Sequence, residues 1–192
     1  MLAAVPVELV SLRDWPPIPE PDESGDTFEQ NARLKALYYD RRLAHTLPQS
    51  AQPVLTIAED SGLVIDALDG EPGVRSARFL RADASYPERF DEIYRRLAAR
   101  LPASRAARFV CAITVVRDGE PVFDTVGTIE GEMAPAPRGS HGFGYDPIFW
   151  YPPYGCTLAE VDQPAKLRVA HRGQAFRALA AWLRAQGLAQ KV

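Results

Sequence analysis

Apolar positions along the chain recur with two different periods. Val54 to Ala58 (VLTIA) is a short unbroken apolar run, the mark of a buried strand, and it ends at Glu59-Asp60-Ser61-Gly62. Leu63 to Leu68 predicts a further strand before an Asp69-Gly70 turn. Arg108 to Val116 and Val122 to Met133, rich in Val, Ile, Phe and Thr, flank Asp118-Gly119 and predict a hairpin of two longer strands in a mixed sheet. Helical spacing appears in three places. Thr27 caps the first helix, with Gln30 closing a capping box, and Phe28, Ala32 and Leu37 to Tyr39 supply its apolar positions. Asn31 and Lys35, four residues apart, share one face of it. Pro87 opens an amphipathic helix running to about Arg100, with Phe90, Ile93, Tyr94 and Leu97 inward. Gln174 to Gln186 closes the chain as an Ala/Leu/Trp helix.

Between these elements the pattern breaks down. Trp15 to Asp26 carries four prolines and four carboxylates, which predict an extended acidic loop. A polar Pro/Gln/Ser linker precedes Val54, and Ala134 to Gly155 reads as a long loop dense in Gly, Pro and aromatic residues. No repeat or low-complexity tract occurs.

Composition narrows the class. With 192 residues, 46% of them hydrophobic and 24% charged, the chain reads as one globular domain over residues 1–192. A net charge of −3, from 22 basic and 25 acidic side chains, supplies no broad positive field for a polyanion, so a nucleic acid polymer is not expected as a partner. Cys111 and Cys156 stand far apart, without zinc-ligand spacing, and fit a reducing cytoplasm. There is no membrane-length apolar run, and Met1 to Leu12 has neither a basic leader nor a clear cleavage pattern; the chain is expected to be soluble and cytoplasmic.

Three groups of residues have the chemistry for a site. Glu59 and Asp60, emerging where the strand ends, suit Mg²⁺ or a water proton, although Asp, Ser and Gly are also ordinary turn residues with solvated side chains. Gly142-Phe143-Gly144-Tyr145-Asp146-Pro147 joins flexible positions, aromatic rings and a carboxylate, suited either to stacking on a planar base or to a tight turn packed into the core. Lys166, His171 and Arg172 precede the last helix and would suit a phosphate or a purine carbonyl; separately, they read as surface charges and a helix cap.

Taken in order, five blocks resemble the inosine triphosphate pyrophosphatase family: Glu23 to Ala36, Glu59 to Leu63, Pro72 to Arg78, Gly142 to Phe149 and His171 to Ala175. The resemblance implies an α/β fold, with an elongated mixed β-sheet, flanking helices and two lobes around a central cleft, and a homodimer. It implies Mg²⁺-dependent hydrolysis of free noncanonical purine nucleoside triphosphates (ITP, dITP, XTP) to the monophosphate and pyrophosphate. By that pattern Glu23 and Asp60 hold Mg²⁺ and Asp60 is the general base. Lys35 lies near the phosphates and Ser61 contacts substrate. Phe143, Gly144, Tyr145 and Asp146 form the loop that holds the base, and Lys166, His171 and Arg172 read the six-position oxygen and neighbouring groups.

Three departures from the pattern stand out. Glu59 replaces the Asp common at the first acidic position, and Ala170 stands where a small polar residue usually precedes the His-Arg pair. The family's opening strand and Thr-Gly-Asn-x-x-Lys phosphate loop have no counterpart, and Met1 to Ser11 resembles the end of the following helix and the next strand, Val7 to Leu12. On this reading the chain begins part-way through the family's first unit. The alternative expectation is a non-catalytic nucleotide-binding or dimer-forming remnant.

Overall fold

The computed structural model describes residues 2, 5, 7–44, 54–100 and 104–186. The expected polar linker before Val54 lies outside them. Among the described residues, the helices α1 (Phe28–Leu43), α2 (Tyr86–Ala98), α3 (Gln163–Val169) and α4 (His171–Ala185) accompany a five-stranded sheet in the order β1-β2-β3-β4-β5. Its strands are β1 (Thr56–Ile65), β2 (Ala106–Arg117), β3 (Glu120–Met133), β4 (Phe149–Tyr151) and β5 (Cys156–Thr157). The expected α/β class with flanking helices is what forms.

The predicted hairpin is β2–β3. Its link is Asp118 at φ 53° and Gly119 at φ 82°, two left-handed residues whose twist matches that of the strands they join. The Gly119 N–H donates to Asp40 on α1 at 2.9 Å, which ties the turn down. Strand β4 pairs antiparallel with β3 through Met133 and Phe149, and with β5 through Tyr151 and Cys156. Part of the expected 134–155 loop is therefore sheet.

Two further expectations change. Val54 to Ala58 and Leu63 to Leu68 are not separate strands: β1 runs unbroken from Thr56 to Ile65, through Glu59-Asp60-Ser61-Gly62, and a 3-10 turn follows at Asp66–Leu68. Pairing with β2 overrides the local turn preference of Asp, Ser and Gly. The expected strand Val7 to Leu12 does not form. Residues 7–11 have no regular structure and Leu12–Asp14 is a 3-10 turn. A strand is made by its partner, and these residues take no place in the sheet.

Helix starts follow their caps. Thr27 accepts from the Gln30 N–H at 3.2 Å, while the Gln30 side chain returns to the Asp26 N–H at 2.8 Å, one residue earlier than a capping box requires. Ser85 and Glu88 close a complete box on α2. Asp162 caps α3, accepting from the Ala165 N–H at 2.7 Å.

The chain divides into two compact units. One comprises Met1–Asp60, Ala112–Val126 and Ala175–Val192; its buried positions include Ala32 and Ala36 of α1, Ile113, Val115 and Val116 of β2, and Leu179 and Leu183 of α4. The other, Ser61–Cys111 with Gly127–Gln174, holds a continuous core of Leu63, Ile65, Phe90, Ile93, Phe109, Met133, Ile148, Phe149 and Leu158, among others. Each large side chain so buried contributes roughly 1.5–3 kcal/mol.

Candidate active-site groups

The first unit gathers a carboxylate–ammonium cluster. Neighbouring strand residues face opposite ways, so only one of Glu59 and Asp60 can meet α1. It is Asp60. Lys35 Nζ donates to Asp60 Oδ1 at 2.7 Å and to Glu23 Oε1 at 2.9 Å, bridging the acidic loop and β1. One turn earlier on α1, Asn31 Nδ2 donates to Asp60 Oδ2 at 3.4 Å. The shared face of Asn31 and Lys35 is thus the face that meets Asp60, and the expected trio Glu23, Lys35 and Asp60 converges.

Burial would pull the Lys35 ammonium down, but its hydrogen bonds to Asp60 and Glu23 outweigh that, and its pKa is raised. Burial pushes the Asp60 carboxyl up, against the opposing pull of Lys35. Two carboxylates around one ammonium leave a surplus negative charge, which favours a further cation. No three His, Cys, Asp or Glu side chains converge as a metal cage among the described residues. The donor chemistry of Glu23 and Asp60, carboxylate oxygens alone, fits a hard divalent ion whose remaining shell comes from waters and substrate oxygens.

The second unit gathers aromatic and cationic groups. Asp146 and Lys166, 2% and 5% exposed, form a buried ion pair, and the Phe143 N–H donates to the same Asp146 oxygen at 2.8 Å. Gly142 permits this arrangement. It sits at φ 77°, and a Cβ there would lie 2.1 Å from Asp146 Oδ2. The Phe143 ring itself stays 58% exposed, with Lys166 Nζ at 4.8 Å and Arg172 Cζ at 4.9 Å from its centroid. Arg172 also donates to Ser61 Oγ at 3.3 Å.

Of the base-loop residues, Phe143 is presented and Tyr145 is not. Tyr145 is buried, packs edge-on against Tyr86 at 5.4 Å, and donates its hydroxyl to the Ser76 carbonyl at 2.8 Å. It anchors the loop from beneath, while Gly144 turns the chain between the two rings at φ 65°.

His171 begins α4 stacked on Phe109, with centroids 4.9 Å apart and planes 18° off parallel. Burial first, then the charges of Arg172 and Lys166, lower its pKa to about 3, so the imidazole is neutral. Its Nδ1 is buried without a hydrogen-bond partner among the described residues. Gln174 fixes this helix start by donating to the carbonyls of Thr128 at 2.7 Å and Val169 at 2.8 Å.

Sequence reasoning did not single out Asn31, Tyr86, Phe109 or Gln174 as parts of these groups. Asn31 carried a signal in its helical spacing from Lys35, and Gln174 lies in the fifth block, His171 to Ala175. Tyr86 and Phe109 meet Tyr145 and His171 across long stretches of sequence.

Relatives named dITP/XTP pyrophosphatase include one from an Exiguobacterium species (strain ATCC BAA-1283 / AT1b), 42% identical over 94% of this chain and 87% of its own length. Another, from Geobacillus kaustophilus, is 43% identical over 88% of this chain and 79% of its own. Among solved structures, a HAM1 protein from Coxiella burnetii matches with a TM-score of 0.74 at 40% identity, covering 86% of this chain and 81% of that one. The Staphylococcus aureus Ham1 protein matches with a TM-score of 0.75 at 34% identity, covering 86% and 80%. The Ham1 family model matches residues 1–182, and the chain belongs to the Ham1 family.

Proposed function

We propose that this protein hydrolyses noncanonical purine nucleoside triphosphates, dITP, XTP and ITP, to the monophosphate and pyrophosphate, clearing them from the nucleotide pool. Similarity to dITP/XTP pyrophosphatases across nearly the whole chain carries this reading. The convergence of Glu23, Lys35 and Asp60 supports it, and both favour turnover over a binding-only remnant.

In this reading Glu23 and Asp60 hold Mg²⁺. The ion, when bound, neutralises triphosphate charge and polarises a phosphoryl oxygen. Asp60 orients a water towards the α-phosphorus and accepts its proton, and Lys35 places a fixed positive charge where negative charge builds up. Phe143 offers an exposed ring on which a purine stacks. Hypoxanthine and xanthine carry an oxygen where adenine carries an amine, so donors on His171 and Arg172 favour the former. Lys166, already paired with Asp146, shapes the loop beside that base, and Ser61 and Arg172 support each other.

The protein acts in this proposal as one functional domain and as a homodimer on free nucleotides in the cytoplasm, with no nucleic acid or membrane partner; no described helix is long and apolar enough to cross a membrane. Pyrophosphate release from dITP, XTP and ITP, set beside dATP and GTP in Mg²⁺, tests the reading. Release from the first three, well above the last two, is expected; binding without release would refute it.

A further inference from the structure

The side chain of Asn31 is wholly buried at 0% exposure, yet the start of α1 does not need it. Thr27 and the Gln30 side chain already serve that end of the helix. Asn31 reaches out of the helix in two directions instead. Its Oδ1 accepts from the Gly25 N–H at 2.8 Å, two residues beyond Glu23, and its Nδ2 donates to Asp60 Oδ2 at 3.4 Å. One planar amide therefore touches both chain segments that carry the candidate metal-holding carboxylates. Asp60 is held at both oxygens, Oδ1 by Lys35 and Oδ2 by Asn31. The Gly25 side of this contact is close: a Cβ on Gly25 would lie 2.7 Å from Asn31 Oδ1 and 2.8 Å from Gln30 Cβ.

We propose that Asn31 is a positioning residue, a neutral brace that sets the Glu23 loop and the Asp60 carboxylate at the spacing a divalent cation requires. This rests on the functional reading above. Lys35 cannot do this alone, because its ammonium competes with the incoming cation for the same oxygens, whereas an uncharged amide rooted in α1 does not. Partners that orient metal ligands in this way typically govern affinity by about 10- to 100-fold.

The test titrates the full chain with Mn²⁺, following the free-ion paramagnetic resonance signal in the presence of the α,β-methylene analogue of ITP, alongside pyrophosphate release and thermal melting. Asn31→Ala should raise the Mn²⁺ dissociation constant about tenfold, on top of a melting point lowered by several degrees through the two hydrogen bonds the buried amide gives up. Gly25→Ala should do the same, since its added methyl displaces the Asn31 amide, and the double variant should be no worse than either alone. Gln30→Ala, which frees the neighbouring Asp26 N–H without touching Asp60, should leave metal affinity unchanged. Should Asn31→Ala fail to fold, Gly25→Ala decides. An unchanged Mn²⁺ constant in the folded variants, an equal shift in Gln30→Ala, or a wild type that binds no Mn²⁺ overturns the brace. A wild type that binds Mn²⁺ but releases no pyrophosphate sinks the functional reading, and the variant shifts still decide the brace.

Discussion

Replacing Asp146 by Ala removes the carboxylate paired with Lys166, at a place where both side chains are almost wholly out of water. The ammonium then stays buried without its counter-charge, and the Phe143 N–H loses its acceptor at 2.8 Å. Hydrogen bonds to charged groups are worth about 1.5–3 kcal/mol each, and breaking a buried ion pair from one side costs about 3–5 kcal/mol. At this chain length a loss of that size lowers the melting point by on the order of 10 °C. Thermal melting and urea titration of Asp146→Ala, Asp146→Leu, Lys166→Met and Asp146→Leu/Lys166→Met measure it. The double variant should recover most of the loss, because an apolar pair of similar volume leaves no stranded charge. A drop below about 2 °C in Asp146→Ala, or additive costs in the double variant, would refute the assignment of this pair as a coupled, desolvated unit.

His171 and Phe143 yield two further expectations. The folded pKa of His171, about 3, lies below its ordinary value of 6.5, so the unfolded chain binds the extra proton. Its contribution is complete above pH 6.5 and declines as pH falls towards 3, at about 1.4 kcal/mol per pH unit. Urea stability of the wild type should fall more steeply between pH 6.5 and 4.5 than that of His171→Phe; parallel slopes would contradict the buried neutral imidazole. Phe143→Ala should cost about 1–2 kcal/mol of stability, the cation–π contacts its ring makes with Lys166 and Arg172, and raise KM for XTP about tenfold through lost stacking, with kcat little changed; an unchanged KM would remove Phe143 from base binding.

Much of this could be read from local pattern. The Asp118-Gly119 turn announced its hairpin, and the four-residue spacing of Asn31 and Lys35 marked the helix face that meets Asp60. Five short blocks in order pointed to the family. What local pattern could not show depends on partners distant in sequence. Glu59-Asp60-Ser61-Gly62 has the residues of a turn, and only pairing within the sheet keeps it extended. Val7 to Leu12 has the residues of a strand and takes no place in that sheet. Lys166 reads as a surface cation until α3 carries it to Asp146, and nothing near His171 in sequence announces that Phe109 will stack on it.

In the proposed reaction a water oriented by Asp60 attacks the α-phosphorus of a noncanonical purine triphosphate. Hydrolysis of dITP in ¹⁸O-labelled water with Mg²⁺, followed by mass analysis of the products, tests it most directly, with Asp60→Asn as the comparison. One ¹⁸O in dIMP, none in pyrophosphate, and turnover in Asp60→Asn reduced by at least about 100-fold are expected. Label in pyrophosphate, release of orthophosphate, or undiminished turnover by Asp60→Asn would contradict it.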